Sequence, residues 1–190
     1  MPSVRRLLLC AETALASIPS RASRMNGSKQ AMNESTGPVV VKYLNEPTMI
    51  YNGACYCGII QYELDLASPE EARTSLCHCK NCKKFFGSAY GLTTKLPRAA
   101  FRYTTSSALP TVHEADNGAG VLLHREFCGV CGSGLLEYGA HAGDSIFVVY
   151  GTMEEAAREA LPPKGEFFCK YRETWLGEVQ GLFQKQEIKE

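Results

Sequence analysis

Apolar and polar residues alternate along several short segments of this chain. From Ile60 to Leu66 every second residue is apolar, which is the period of a half-buried strand. The same pattern predicts further strands at Ala89–Thr93, Phe101–Thr104, Val121–Phe127, Leu135–Tyr138 and Ile146–Tyr150. Only Met153–Leu161 has the pattern of a helix, and Pro162-Pro163 would end it. We therefore predict a mostly β, single-domain fold with one short helix over residues 48–183.

The first 47 residues differ from this pattern, and we expect them to form an N-terminal extension. Residues 1–38 are rich in Ser, Ala, Arg and Asn and contain only two acids, Glu12 and Glu34. Their apolar residues would form one stripe on a helix: Val4, Leu7, Leu8, Ala11, Leu15 and Ile18. This composition is typical of a mitochondrial transit peptide or of a disordered tail. A third interpretation is that the true start codon lies downstream, at Met25 or Met32. Residues 184–190 are polar and predict a frayed tail.

Charge and hydropathy exclude two classes of partner. Lys and Arg together number 20, as do Asp and Glu, so the net charge is zero. A balanced chain lacks the basic surface that binds nucleic acid. No apolar run approaches the roughly 20 residues that cross a membrane as a helix. The sequence leaves the oligomeric state open.

The cysteines carry the strongest chemical signal. Seven of the nine lie in three tight clusters: Cys55-Tyr-Cys57, Cys77-His-Cys79-Lys-Asn-Cys82 and Cys128-Gly-Val-Cys131. A disulfide within the first cluster would close a very small, strained ring, and nine thiols cannot all pair. Clustered thiolates favour zinc in tetrahedral geometry. Thiolate zinc sites indicate a reducing compartment, so we expect a cytoplasmic location, with a mitochondrial one as the alternative.

A division of the seven thiols into four and three predicts two zinc ions per chain. Cys55 and Cys57 would chelate one ion if Tyr56 points away, and Cys128 with Cys131 has the spacing of a zinc knuckle. Joining these two pairs would link distant parts of the β domain. We expect this four-cysteine site to be structural and coupled to folding.

The remaining thiols, Cys77, Cys79 and Cys82, predict a zinc site with one position for water or substrate. Three thiolates give the zinc a net charge of about −1 and leave it more electrophilic than four would. The alternative is a closed site in which His78 or Cys169 provides a fourth ligand. Along an extended segment, His78 should face away from its two neighbours, which favours the open site. Otherwise we expect Cys10 and Cys169 to be free thiols.

Three segments together resemble a known family. These are Gly53-Ala-Cys55-Tyr-Cys57-Gly58, then Cys77-His-Cys79-Lys-Asn-Cys82 followed by Gly87-Ser88, and Phe127-Cys128-Gly-Val-Cys131-Gly132-Ser133-Gly-Leu135. They resemble the glutathione-dependent formaldehyde-activating (GFA) family, which shares its domain with centromere protein V. Gly151-Thr152-Met153, Lys170 to Arg172 and Trp175-Leu176 also agree. The resemblance covers about residues 48–183. Phe85-Phe86 departs from it, because smaller or polar residues are common there in the family.

The resemblance implies a zinc-binding β-tent fold and a carbon–sulfur lyase. It implies a structural zinc on Cys55, Cys57, Cys128 and Cys131 and a catalytic zinc on Cys77, Cys79 and Cys82. The implied reaction joins a small thiol such as glutathione to a small carbonyl compound such as formaldehyde, giving S-hydroxymethylglutathione. Two alternatives stay open: a tailoring enzyme that acts on another thiol adduct or small metabolite, and a non-enzymatic binding module like centromere protein V.

Substrate contacts are less well marked in the sequence. Four cationic residues flank the cysteine clusters and are candidates for pairing with the carboxylates of glutathione: Lys80, Lys83, Lys84 and Arg125. For each of them, a solvated surface charge is the simpler interpretation. Tyr90, Tyr138 and Trp175 are candidates to line a pocket, but we expect them in the core.

Overall fold

The computed structural model describes residues 48–188, so the expectations for the N-terminal extension lie outside the described residues. The strands in chain order are β1 (Met49–Ala54), β2 (Gln61–Leu66), β3 (Arg73–Cys77), β4 (Gly91–Pro97), β5 (Phe101–Tyr103), β6 (Thr111–Asp116), β7 (Leu122–Phe127), β8 (Gly134–Gly139), β9 (Ser145–Val149), β10 (Pro163–Phe167) and β11 (Phe183–Gln184). The α-helices are α1 (Lys80–Phe86) and α2 (Glu155–Ala160). Short 3₁₀ turns occupy Pro69–Glu71, Arg98–Ala100, Ala140–Ala142, Tyr150–Thr152 and Cys169–Tyr171.

The strands form two sheets. A small antiparallel sheet has the order β1-β2-β5, and a larger sheet has the order β11-β10-β3-β4-β9-β8-β7-β6. In the larger sheet β10 runs parallel to both β3 and β11, and the other pairs are antiparallel. The mostly β, single-domain fold class is therefore confirmed for the described residues.

The core lies between the two sheets. The small sheet provides Tyr62, Leu64 and Leu66, and the large sheet faces them with a set of apolar side chains that includes Leu136 and Val148. All five side chains are at most 2% exposed. Removing this apolar surface from water is the main favourable term in folding. The apolar residues that alternate between Ile60 and Leu66 therefore form the face of β2 that points into the core.

Close contacts also fix the junction between the small sheet and the segment after β9. The hydroxyl of Tyr62 lies 2.8 Å from Thr152 Oγ1, and Thr152 donates its own hydrogen to the Val149 carbonyl. Tyr62 is therefore the donor in the first bond. A Cβ added at Gly53 would lie 2.1 Å from the Tyr62 ring, so glycine is required for the ring to cross β1 there.

The predicted elements are present with three differences. First, helix α1 has no counterpart among the predicted elements, so the described chain contains two α-helices and not one. Second, the structure adds five strands that the alternation does not predict: β1, β3, β6, β10 and β11. Third, the strand expected at Ala89–Thr93 begins at Gly91 and runs to Pro97. Helix α2 lies within the predicted Met153–Leu161 segment. Since α1 carries thiols of the second cluster, the first difference bears directly on the site.

Candidate metal centres

Cys55 and Cys57 lie in a tight turn that follows β1. The Gly58 N–H donates to the Cys55 carbonyl at 2.9 Å, and Gly58 has φ +74°, a value that glycine adopts without strain. The Ile60 N–H donates to the Cys55 sulfur at 3.3 Å. Tyr56 between the two thiols is 92% exposed and points away from them, as the sequence predicts.

A second turn brings Cys128 and Cys131 to the same place from the end of β7. The Gly132 N–H donates to the Cys128 carbonyl at 2.8 Å, and Gly132 has φ +75°. The Tyr56 N–H donates to Ser133 Oγ at 3.2 Å and joins the two turns directly. This is the half-site pairing that the sequence predicts across more than seventy residues.

The sulfur atoms of Cys55, Cys57, Cys128 and Cys131 all lie within 4.8 Å of one another. The Cys55–Cys57 and Cys57–Cys128 sulfur distances are 3.5 and 3.8 Å. Tetrahedral zinc with bonds of about 2.3 Å would separate its sulfurs by about 3.8 Å. Backbone N–H donation, first from Ser133, lowers the pKa of Cys131 to about 6. The donor set and its spacing therefore fit a metal ion of the zinc type.

The second group consists of Cys77, Cys79 and Cys82, whose sulfurs also lie within 4.8 Å of one another. Cys77 is the last residue of β3, Cys79 caps the N-terminus of α1, and Cys82 lies in its first turn. The Cys79 sulfur accepts the Cys82 N–H at 3.3 Å. The three thiols are each half-buried, whereas the four-cysteine group ranges from buried Cys55 and Cys128 to exposed Cys57. A helical turn thus converges ligands that are close in sequence.

The three thiols strongly perturb one another's protonation. Hydrogen bonds from Cys77 and Cys82 lower the pKa of Cys79 to about 2, and the hydrogen bond with Cys79 raises the pKa of Cys77 to about 12. Hydrogen bonds with Cys77 and Cys79 raise the pKa of Cys82. One thiolate is thus stabilised at the expense of two thiols. A divalent cation would displace the remaining protons, which is why such a cluster suits a metal.

His78 does not join the three thiols. Its ring is fully buried, and its Nε2–H donates to Glu166 Oε2 at 3.0 Å. Cys169 instead donates to the Glu166 carbonyl and to Gln184. Within residues 48–188, no further His, Cys, Asp or Glu atom lies close enough to complete the group. The closed alternative therefore gains no ligand from either residue in this structure.

Glu166 is the centre of a buried network that includes His78, and no sequence pattern predicts it. Besides His78, its carboxylate accepts the Arg172 guanidinium at 2.6 Å and the Val179 N–H at 2.7 Å. Although burial opposes ionisation, these donors hold the pKa of Glu166 below its usual value. A cavity of about 50 Å³ adjoins His78, Glu166 and Tyr90. His78 Nδ1 has no partner among the described residues.

A second charged pair, largely shielded from solvent, contacts the cluster segment through Asn81. Arg125 Nε donates to Glu137 Oε2 at 3.1 Å, and Arg125 Nη2 donates to Asn81 Oδ1 at 3.0 Å. Burial raises the pKa of Glu137, which Arg125 opposes and the nearby Cys79 thiolate reinforces. Arg125 is 8% exposed. Its charge is therefore committed to the protein interior, and it is not a free anchor for a substrate carboxylate.

The other candidate contacts fall in two groups. Lys83 binds the Tyr171 carbonyl and the Glu173 carboxylate, so its charge is also used internally. Lys80 and Lys84 are exposed, and the structure places no partner beside either within the described part of the chain. Tyr90 and Tyr138 are half-buried. Trp175, expected in the core, is 73% exposed, because the segment after β10 crosses the surface as an extended loop.

Comparison with known proteins identifies the family of this chain. The sequence profile of the family described as glutathione-dependent formaldehyde-activating enzyme matches residues 50–171, which is more than half of the chain. The chain therefore belongs to this family. A crystal structure of a Rhodobacter sphaeroides protein matches with 18% identity and a TM-score of 0.43, covering 55% of this chain and 88% of that chain. No curated protein matches the chain. The helices of the described residues are too short and polar to cross a membrane.

Proposed function

We propose that the protein is a zinc-dependent carbon–sulfur lyase that joins a small thiol such as glutathione to a small carbonyl compound such as formaldehyde. The supporting observation is the convergence of Cys77, Cys79 and Cys82 without a fourth ligand from the described residues. Four-thiolate sites close the coordination sphere, whereas a three-ligand site keeps a position for a reacting group. We assign the structural ion to Cys55, Cys57, Cys128 and Cys131.

The proposed reaction needs no oxidant or reductant. The thiol sulfur forms a bond to the carbonyl carbon, the carbon–oxygen π bond breaks, and the thiol proton ends on the new hydroxyl. A zinc ion bound there would stabilise the thiolate or polarise the carbonyl. The residues of this chain fix the three ligand sulfurs between β3 and the first turn of α1 and leave them accessible from solvent.

Exchange kinetics test this proposal, because glutathione and formaldehyde also combine without a catalyst. Magnetisation-transfer NMR at equilibrium measures how fast ¹³C-formaldehyde exchanges between the free and S-hydroxymethyl forms. We expect the wild-type protein to increase that rate at least tenfold at a concentration where Cys79→Ala has no effect. Cys169→Ala is the matched control, because it removes a buried thiol outside both clusters.

The outcomes separate the candidate functions. Equal rates for wild type and Cys79→Ala would contradict the formaldehyde reaction. If other thiol adducts then shift the spectrum of a cobalt-loaded second cluster, the chain acts on a different adduct. If no thiol or carbonyl compound perturbs that cluster, the enzyme proposal fails and a binding module is the better conclusion.

A further inference from the structure

A buried arginine connects the two cysteine clusters. Arg125 lies in β7, opposite Glu137 of β8 in the antiparallel register, and the two side chains are 10% and 14% exposed. The same guanidinium reaches across to α1, where it bonds Asn81 and lies 4.4 Å from the centre of the Phe85 ring. A planar, permanently charged fork can make all three contacts at once, which a lysine cannot.

Helix α1 depends on such contacts for its position. It runs from Lys80 to Phe86, and helices this short are not stable alone in water. Asn81 and Phe85 are four residues apart and share one face of the helix, so Arg125 contacts that face at two points. Gly134 of β8 leaves room for the Phe85 ring, since an added Cβ would lie 3.2 Å from it. The face of α1 that carries Asn81 is thus docked on β7 and β8.

These contacts lie directly beside ligands of both clusters. Asn81 stands between Cys79 and Cys82 in the sequence, and β7 ends just before Cys128. We propose that Arg125 is a positioning residue that holds α1, and with it Cys79 and Cys82, in the geometry for metal binding. This inference rests on the proposed metal site at the three-cysteine cluster and does not depend on the thiol–carbonyl reaction.

Cobalt titration of the metal-free protein against a competing chelator tests the proposal, because thiolate-bound cobalt absorbs strongly and reports each site separately. Cys79→Ala identifies the transition that belongs to the three-cysteine cluster. Asn81→Ala removes the hydrogen bond from Arg125 to α1 and leaves the Arg125–Glu137 pair and the contact with the Phe85 ring intact. Arg125→Met combined with Glu137→Gln removes the fork without leaving an unpaired buried carboxylate. Arg102→Met is the control, because Arg102 is an exposed arginine paired with Glu63 on β2.

We expect both test variants to weaken cobalt binding at the three-cysteine cluster at least tenfold, with less than a twofold change at the four-cysteine cluster. Arg102→Met should change neither. Unchanged affinity at the three-cysteine cluster in both variants would overturn the proposal, and so would an equal loss at both clusters, which indicates general destabilisation.

Amide hydrogen exchange provides a second measurement that does not need metal at the three-cysteine cluster. In protein loaded at the four-cysteine cluster, Asn81→Ala should speed exchange in α1 at least tenfold relative to wild type, while β2 stays protected. Equal protection of α1 would overturn the positioning role. If the wild-type protein binds one cobalt ion only, the proposed function fails, and the exchange result still decides whether Arg125 holds α1.

Discussion

The two cysteine clusters have the same ligand type but are built in opposite ways. The four-cysteine cluster joins two turns whose facing residues, Cys57 and Cys128, are 71 positions apart, and two of its thiols are buried. The three-cysteine cluster comes from one continuous stretch, Cys77–Cys82, whose thiols are half-buried. A metal at the first cluster would close a long loop and restrict the unfolded chain, whereas a metal at the second would not.

What keeps each cluster in place also differs. Around the four-cysteine cluster the turns are fixed by backbone hydrogen bonds and by the metal that the thiols would bind. Around the three-cysteine cluster two side-chain networks, centred on Glu166 and Arg125, contact the ligand segment at His78 and Asn81. Ligands of the four-cysteine cluster should therefore determine the stability of the fold. Neighbours of the three-cysteine cluster should determine how tightly it binds its metal.

The largest effect should come from Cys128→Ser. Losing a ligand of the four-cysteine cluster removes metal-binding free energy that is also folding free energy, so we expect the free energy of unfolding to fall by at least about 3 kcal/mol. Cys79→Ser should cost less than about 1 kcal/mol, because its cluster closes no long loop. Urea unfolding in the presence of zinc measures both. Similar losses in the two variants would mean that the clusters do not differ in role.

Metal removal should separate the clusters next. We expect purified, reduced protein to contain two zinc ions per chain, and a mild chelator to take one of them, from Cys77, Cys79 and Cys82, where only three thiols of the described residues would hold the ion. The remaining ion should stay until the fold is lost. Elemental analysis combined with alkylation of the released thiols and mass spectrometry checks this order. Release from Cys55 or Cys131 before Cys79 would reverse the assignment.

Acid should weaken the network on Glu166. Because its folded pKa is lowered, Glu166 stabilises the protein above the unfolded carboxyl pKa of about 4.3, and this contribution is lost as the pH falls through the folded pKa. Glu166→Gln should therefore be less stable than wild type at pH 7, by about 2 kcal/mol, and should lose less of its stability on acidification.

Urea unfolding between pH 7 and pH 3 measures this difference. Glu63→Gln is the control, because Glu63 pairs with the exposed Arg102 and does not touch the network. This variant keeps all the metal ligands, so any acid sensitivity that they cause is the same in the control. Parallel pH profiles for wild type and Glu166→Gln would show that the carboxylate contributes nothing as an ion.

The smallest effect should follow from Gly134→Ala. The new methyl group would press on the Phe85 ring at 3.2 Å, which the ring can relieve by a small shift of α1, at a cost below about 1 kcal/mol. Zinc retention at the three-cysteine cluster should decrease slightly, and that at the four-cysteine cluster should not change. Gly151→Ala, where an added Cβ meets nothing within 4 Å, is the control. A larger loss at the four-cysteine cluster would contradict the separation of the two regions.

Strands that line the core were predictable, and strands at the sheet edges were not. Alternating apolar residues predict β2 and β9 closely, because one face of each is buried in the core. Strand β6 is exposed along most of its length, so no apolar pattern marks it. Strand β10 buries Gly165 and the charged Glu166, which do not resemble a strand core in sequence.

Helix α1 shows a different limit of the sequence. Its residues, Lys80 to Phe86, contain no apolar repeat long enough to predict a helix. It forms because Cys79 caps its first turn, Gly87 ends it in the left-handed conformation, and Arg125 fixes one face. The two caps are local features of the sequence, but they indicate a helix only once Cys79 is known to lie at its N-terminus.

The sequence by itself determined the family, the mostly β fold and the two groups of thiols, because cysteine spacing and strand alternation are local properties. Tertiary structure alone decided what surrounds the thiols. Glu166 meets His78 across 88 positions and Arg125 meets Asn81 across 44, and neither pair leaves a periodic mark on the chain. Such pairs depend on which strands become neighbours, which is set by packing of the whole domain and not by any single segment.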